Sequence, residues 1–66
     1  MVELGRYRHF KGNIYEVIAI AKHSETGEEV VVYKSHDQEV WVRPLNMWNE
    51  TVDRDGETFL RFKKID

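Results

Sequence analysis

The balance between β-branched and helix-forming side chains constrains this chain more than any other feature. Fifteen of its residues are valine, isoleucine or threonine, whereas only two are alanine and three are leucine. Branched and aromatic side chains pack well on a pleated sheet, and a helical protein of this size would need the missing alanine and leucine. We therefore expect an all-β protein with at most one helical turn.

The length of 66 residues allows one domain, spanning residues 1–66. The chain has no cysteine, which excludes disulfides, thiolate zinc sites, iron–sulfur clusters and thiol nucleophiles. No apolar run approaches the roughly 20 residues of a membrane span, and residues 1–12 lack the apolar centre of a signal peptide. These features predict a cytoplasmic protein that does not associate with membranes.

Turn signals divide the chain into short β-type runs. Five runs are expected to form strands: Gly5–Lys11, Ile14–His23, Glu29–Ser35, Glu39–Arg43 and Thr58–Lys63. The breaks between them carry Gly12-Asn13, Gly27 and Asp55-Gly56, all of which suit turns that need a positive φ. The sequence therefore predicts two consecutive hairpins and a third turn before the last strand.

The predicted loops also imply a register. A two-residue first loop would place Tyr7 opposite Ile18, and a second loop centred on residues 26–27 would place Ile20 opposite Tyr33. With these pairings both faces of the sheet are apolar, which a flat sheet of this size should not be. Three explanations remain open: a tightly coiled barrel, a helical turn covering one face, or an exposed apolar patch that contacts a partner or a second copy.

The segment Pro44–Glu50 predicts the helical turn. Proline suits the first helical position, and Leu45 and Trp48 are spaced to point the same way. A short helical turn before the last strand is typical of SH3-like or Tudor-like domains. We therefore expect a small five-stranded barrel of that type, with its first and last strands side by side.

Charge is unevenly distributed along the chain. Residues 1–23 and 58–66 each carry a net charge of +2, whereas residues 24–57 carry −6. If the end strands pair, the two basic segments meet on one surface, which would orient a charged ligand on approach. The overall pI of about 5.9 does not favour tight, non-specific binding of nucleic acid.

Several segments, in order and over almost the whole chain, resemble the bacterial domain of unknown function 1653. They are Gly5–Gly12, Ala21–Gly27, Val31–Tyr33, Trp41–Leu45, Met47–Trp48 and Arg61–Phe62. Members of that family usually have a longer segment at residues 36–39, and they more often have Glu and Phe where Asn46 and Trp48 stand here. The resemblance implies a small β-barrel and implies little about activity.

A metal-dependent enzyme is one alternative. Imidazole and carboxylate groups bind zinc and similar ions, so His9, His23 and Glu25 are the candidate ligands. However, the predicted registers place the two histidines on different faces, and no His-x-x-x-His spacing occurs. We also expect 66 residues to have difficulty enclosing a pocket of about 300–1,000 Å³, and we predict no cofactor.

The main hypothesis is a non-catalytic binding module that holds a protein segment or an acidic ligand on an arginine and aromatic surface. The candidate residues are Arg8, His9, Phe10, His23, Trp41, Arg43 and Arg61. Trp41 and Arg43 are two apart and share a strand face; alternatively, Trp41 fills the barrel while Arg43 bonds backbone carbonyls. A second alternative is a nucleic-acid-binding barrel that uses the basic end strands. An oligomer is a further expectation, through the two-sided apolar sheet.

Overall fold

Seven strands and one short helix make up the computed structural model, which describes residues 2–66. In chain order they are β1 (Gly5–His9), β2 (Ile14–Lys22), β3 (Glu29–Lys34), β4 (Val40–Pro44), α1 (Leu45–Trp48), β5 (Thr51–Arg54), β6 (Glu57–Leu60) and β7 (Phe62–Lys64). The all-β expectation is confirmed, and α1 lies inside the segment predicted to be helical. Within residues 2–66, no helix is long and apolar enough to cross a membrane.

The strands form an open antiparallel sheet with the order β4-β3-β2-β1-β7, and β5 and β6 form a separate two-stranded hairpin. The first and last strands pair as expected, with Arg8 opposite Lys63. The prediction of a closed five-stranded barrel is wrong, because β4 and β7 are the two edges of the sheet and do not pair with each other. The helix is also followed by three strands rather than one.

The run predicted as one last strand, Thr58–Lys63, is divided at Arg61. The backbone N–H of Arg61 donates to the carbonyl of Glu50 at 3.1 Å, and its own carbonyl accepts from the N–H of Phe10 at 2.9 Å. The chain therefore leaves the β5–β6 hairpin at this residue and joins β1. These long-range bonds leave no local signal in the sequence.

Both predicted hairpin registers are wrong, although their glycines adopt the expected positive φ. The first turn is longer than predicted: the His9 N–H donates to the Asn13 carbonyl at 2.8 Å, and Gly12 has a φ of 105°. Tyr7 consequently pairs with Tyr15 instead of the residue three positions further on. A three-residue hairpin loop with glycine in its last position explains the shift.

Near its turn, the second hairpin departs from the prediction by two residues, which leaves the faces of the strands there unchanged. Ile20 pairs with Val31 rather than Tyr33. The reason is a longer turn, in which the His23 N–H donates to the Glu28 carbonyl at 2.7 Å. Gly27 completes this turn with a φ of 75°.

A register shift between Val17 and Ala19 explains the two apolar faces. Val17 pairs with Tyr33 and Ile20 pairs with Val31, and Ile18 is an extra residue without a partner on β3. Beyond this bulge, the alternate set of β2 side chains points inward. Simple alternation assigned Val17 and Ile20 to opposite faces, whereas the bulge brings both to the inner face.

The core lies between this inner face and α1. Its buried side chains are Val2, Tyr7, Val17, Val31, Tyr33, Trp48 and Phe62, with Tyr15, Ile20 and Leu45 packed against them. Leu45 and Trp48 point the same way, as their spacing predicted, and α1 thereby covers one face of the sheet. The other face keeps exposed apolar side chains on β4, where Val40 is 56% and Val42 is 65% exposed.

Two tryptophans have opposite environments. Trp41 is 48% exposed, so the interpretation that it fills the interior is wrong; the core tryptophan is Trp48, at 2% exposure. The ring of Trp48 stacks on Phe62 with centroids 3.7 Å apart and the planes 2° from parallel. The helical turn therefore positions the side chain that closes the core.

Both ends of the chain are tied to β1. The Tyr7 hydroxyl donates to the Glu3 carbonyl at 2.8 Å, which holds the segment that carries buried Val2. At the other end, Arg6 Nε donates to a carboxylate oxygen of Asp66 at 2.9 Å. This hydrogen bond lowers the pKa of the Asp66 carboxyl below its ordinary value.

Candidate functional site

An open groove of about 400 Å³ lies where β1 and β7 meet the end of the β5–β6 hairpin. Its lining residues are Arg8, His9, Phe10, Phe59, Leu60 and Lys63, which we call the basic groove. Three of them are apolar, two are cationic and none is acidic. The volume falls in the range of ligand sites, about 300–1,000 Å³, which we did not expect from so short a chain.

The cationic rim follows from strand pairing. Arg8 and Lys63 lie directly opposite each other in the β1–β7 ladder, and both are exposed. Like charges in this arrangement destabilise the sheet. Two adjacent cations beside an apolar groove provide a site that a negatively charged group would stabilise.

Phe10 lies at the centre of the cationic residues. The Cζ atoms of Arg54 and Arg61 are 5.7 and 5.9 Å from its ring centroid, and the Lys11 ammonium is 5.8 Å away. The ring of Phe59 is the apolar neighbour, with centroids 6.0 Å apart. Cations over an aromatic face are attracted by its quadrupole. The groove therefore presents apolar surface surrounded by positive charge.

The first turn positions both His9 and Phe10. His9 Nδ1 accepts from the Lys11 N–H at 3.2 Å, and the Phe10 N–H is bonded to the Arg61 carbonyl. The His9 ring contacts Phe10 at 4.5 Å and Phe62 at 4.9 Å between centroids. The groove is consequently joined to the core through His9.

Arg43 lies on the core side of this contact. Its Cζ is 5.5 Å from the centroid of Phe62, the ring that His9 touches. Its Nε is buried without a hydrogen-bond partner, so bonding of Arg43 Nε to backbone carbonyls is not observed. The Nε atom of Arg61 is also buried without a hydrogen-bond partner. Its Nη2 atom lies 3.6 Å from a carboxylate oxygen of Glu50.

The environment of His9 lowers the pKa of its imidazole from the ordinary value. Burial has the largest effect because it disfavours the charged ring, and the positive charges of Arg61, Lys11 and Arg43 act in the same direction. The groove therefore favours neutral His9 when no anion is present.

We predict that the free energy of unfolding decreases as the pH falls below about 6.5, the ordinary histidine pKa. The unfolded chain binds more protons than the folded chain in this range, because folding lowers the pKa of His9. Denaturant unfolding between pH 8 and pH 5 should show this slope of the free energy of unfolding against pH, and His9→Gln should make the slope smaller. His23→Gln is the matched control. Equal slopes in the wild type and His9→Gln would contradict the prediction.

The remaining candidate residues lie elsewhere. Trp41 and Arg43 share the inner face through their pairing with Tyr33 and Val31, as their spacing predicted. Trp41, however, lines a separate cavity of about 260 Å³, and its Nε1 donates to Ser35 Oγ at 3.4 Å. Trp41 therefore does not join Arg8 on one surface.

His23 directly follows β2, at the end of the strand far from the groove. Its Nδ1 accepts from the Glu25 N–H at 3.1 Å, which stabilises the β2–β3 turn. β2 runs for nine residues between the two turns, a separation of about 26 Å. The proposed metal site of His9, His23 and Glu25 is therefore not formed. Residues 2–66 bring together no group of three His, Asp or Glu side chains able to hold an ion.

Three groove residues were absent from the sequence-based candidates: Phe59, Leu60 and Lys63. Leu60 is 53% exposed, so an apolar side chain faces solvent at the groove. The alternation of apolar and basic residues along 60–63 was a usable signal. It was missed because the segment was interpreted as one strand.

Comparison with known proteins places this geometry in a family. A family model described as "Protein of unknown function (DUF1653)" matches residues 5–64. A crystal structure of a protein of the same family from Bordetella bronchiseptica is 37% identical, with a TM-score of 0.88, and the match covers 97% of this chain and 87% of that chain. No curated protein matches. The chain therefore belongs to the DUF1653 family of proteins of unknown function.

Proposed function

We propose that this protein is a non-catalytic, cytoplasmic binding module whose basic groove holds an acidic segment of a partner protein. The observation that carries the proposal is the combination of exposed apolar surface and cationic rim in one groove without an acidic lining residue. The occupant that complements it is an extended segment with an apolar side chain flanked by Asp or Glu.

The apolar side chain accounts for the floor of the groove. Phe10, Phe59 and Leu60 offer surface that a Leu or Phe of the partner would remove from water. Burial contributes about 25 cal/mol per Å² of apolar area. A flanking carboxylate would lie beside Arg8 and Lys63 and would relieve the repulsion between these opposed cations.

Charge also favours a peptide over nucleic acid. The whole chain has a net charge of −2, and most of its acidic residues lie in residues 24–57. Long nucleic acids need many phosphate contacts, whereas a short acidic segment needs only the local cations. Nucleic-acid binding by the basic end strands is the alternative that the experiment separates.

The test is a titration with fluorescent peptides about eight residues long, containing one Phe flanked by Glu and Asp. The matched control peptide replaces each acidic residue with its amide. We expect the acidic peptide to bind with a Kd below about 1 mM at low salt, and the amide peptide to bind at least about tenfold more weakly. Amide chemical shifts should change at the basic groove.

A single-stranded oligonucleotide of similar length provides the second arm. If it binds more tightly than the acidic peptide, with affinity that falls steeply as salt rises, the nucleic-acid alternative replaces this proposal. If neither probe binds at millimolar concentration, or if chemical shifts change elsewhere on the protein, the groove is not the binding site.

A further inference from the structure

Strand β4 is an edge of the sheet whose first three residues lack the usual protection. It carries three consecutive apolar residues, and Val40, Trp41 and Val42 are 56%, 48% and 65% exposed. Natural edge strands are usually shortened, charged, bulged or covered, because unpaired backbone groups attract another strand. The opposite edge follows this rule, since β7 has three residues, two of them lysines.

The free backbone groups of β4 can be assigned from the turn that precedes it. The Ser35 N–H donates to the Glu39 carbonyl at 2.9 Å, so residues 35 and 39 form a hydrogen-bonded pair. Bonding alternates along an antiparallel ladder, so Trp41 and Arg43 direct their backbone groups to β3. Val40 and Val42 direct theirs to the open edge. Pro44 also faces this edge, but it has no backbone N–H that could be left unpaired.

The geometry points to a second copy of this chain as the occupant: we propose that two β4 strands pair antiparallel about a two-fold axis at Val42. This register places Val42 opposite its symmetry mate, in a hydrogen-bonded pair. The Val40 N–H then donates to the Pro44 carbonyl of the other copy. Two five-stranded sheets become one continuous sheet.

Side-chain complementarity selects a second copy over an unrelated strand. In this register Trp41 lies opposite Arg43 of the other copy, and the reciprocal pair forms by symmetry. These residues form a non-hydrogen-bonded pair, in which side chains approach most closely. Arg43 is half-buried, with its Cζ 5.5 Å from the Phe62 ring, which keeps the guanidinium on the inner face for a cation–π contact with tryptophan.

The dimer leaves the basic groove free. β4 and β7 are opposite edges of the sheet, and the groove lies beside β7. A dimer would therefore present two grooves, and a partner with two acidic segments would bind with increased avidity. The dimer does not depend on the proposed function, because none of the groove residues belongs to β4.

The test is sedimentation equilibrium of the full chain from about 10 μM to 1 mM. We expect a concentration-dependent mass that approaches twice that of the chain. Val42→Lys should weaken the dimer by at least about thirtyfold, because it puts two cations opposite each other at the axis and removes buried apolar surface. Circular dichroism should show an unchanged fold, since Val42 is mostly exposed.

Leu4→Lys is the matched control, because Leu4 is 58% exposed and lies outside β4; it should leave the dimer intact. Amide hydrogen exchange gives an independent measurement, in which the Val40 and Val42 amides should exchange more slowly as the protein concentration rises. A monomer at 1 mM, or a dimer equally strong in Val42→Lys, would overturn the proposal. Exchange at these two amides that is independent of concentration would also overturn it.

Discussion

Trp48→Ala should remove a large part of the protein's free energy of unfolding. The side chain is 2% exposed, stacks on Phe62, and contacts Tyr7 and Tyr33 with ring centroids 5.4 and 5.0 Å away. Truncating a buried tryptophan costs about 3–5 kcal/mol. A domain of this length has a total stability of roughly 3–10 kcal/mol, so the loss is a large part of it. Guanidinium unfolding followed by far-UV circular dichroism measures the effect.

Two further variants separate loss of core packing from loss of any tryptophan. Trp41→Ala removes a half-exposed ring and should cost less than about 1 kcal/mol. Trp48→Phe keeps a ring stacked on Phe62 and removes the Nε1 donor, which is buried without a partner. Because an unsatisfied buried donor is unfavourable, we expect this variant to lie within about 1 kcal/mol of the wild type. Equal losses of the free energy of unfolding in Trp41→Ala and Trp48→Ala would contradict the assignment of Trp48 as the core tryptophan.

Lys63→Glu should reduce the affinity for the acidic Phe-containing peptide by about 30- to 100-fold, equivalent to about 2–2.7 kcal/mol. The change removes one attractive charge at the basic groove and introduces a repulsive one. The same variant should be at least as stable as the wild type, since the new carboxylate lies opposite Arg8 in the β1–β7 ladder. Peptide anisotropy and denaturant unfolding measure the two effects separately.

Lys22→Glu is the control for net charge. Lys22 is exposed at the end of β2 far from the groove, and its replacement changes the total charge by the same amount. We expect peptide affinity to change less than about threefold, because charges separated by more than about 10 Å are screened at ordinary ionic strength. A loss as large as that of Lys63→Glu would mean that overall charge, rather than the groove, governs binding.

The candidate site illustrates how strongly function prediction depends on strand register. The pairing of the end strands was correctly inferred from element order, and it places Arg8 beside β7. Lys63 was missed, since only the observed ladder shows that it faces Arg8. His23 was included because histidine is a common ligand, yet its ring bonds the backbone of its own turn.

What the amino-acid sequence determined by itself is local. The β-branched composition selected strands, Gly12 and Gly27 selected turns with a positive φ, and Pro44 with the spacing of Leu45 and Trp48 selected one helical turn. Each of these signals acts within a few residues, so propensity and steric restriction suffice to predict them.

The tertiary structure decided which residues face each other. The bulge between Val17 and Ala19 moved Val17 and Ile20 to one face, and the bonds of Arg61 to Glu50 and Phe10 ended one strand and began another. The sheet stays open because its edge strands β4 and β7 do not pair, and α1 packs on its inner face. Register and closure depend on the summed packing of distant segments, which no short stretch of sequence encodes.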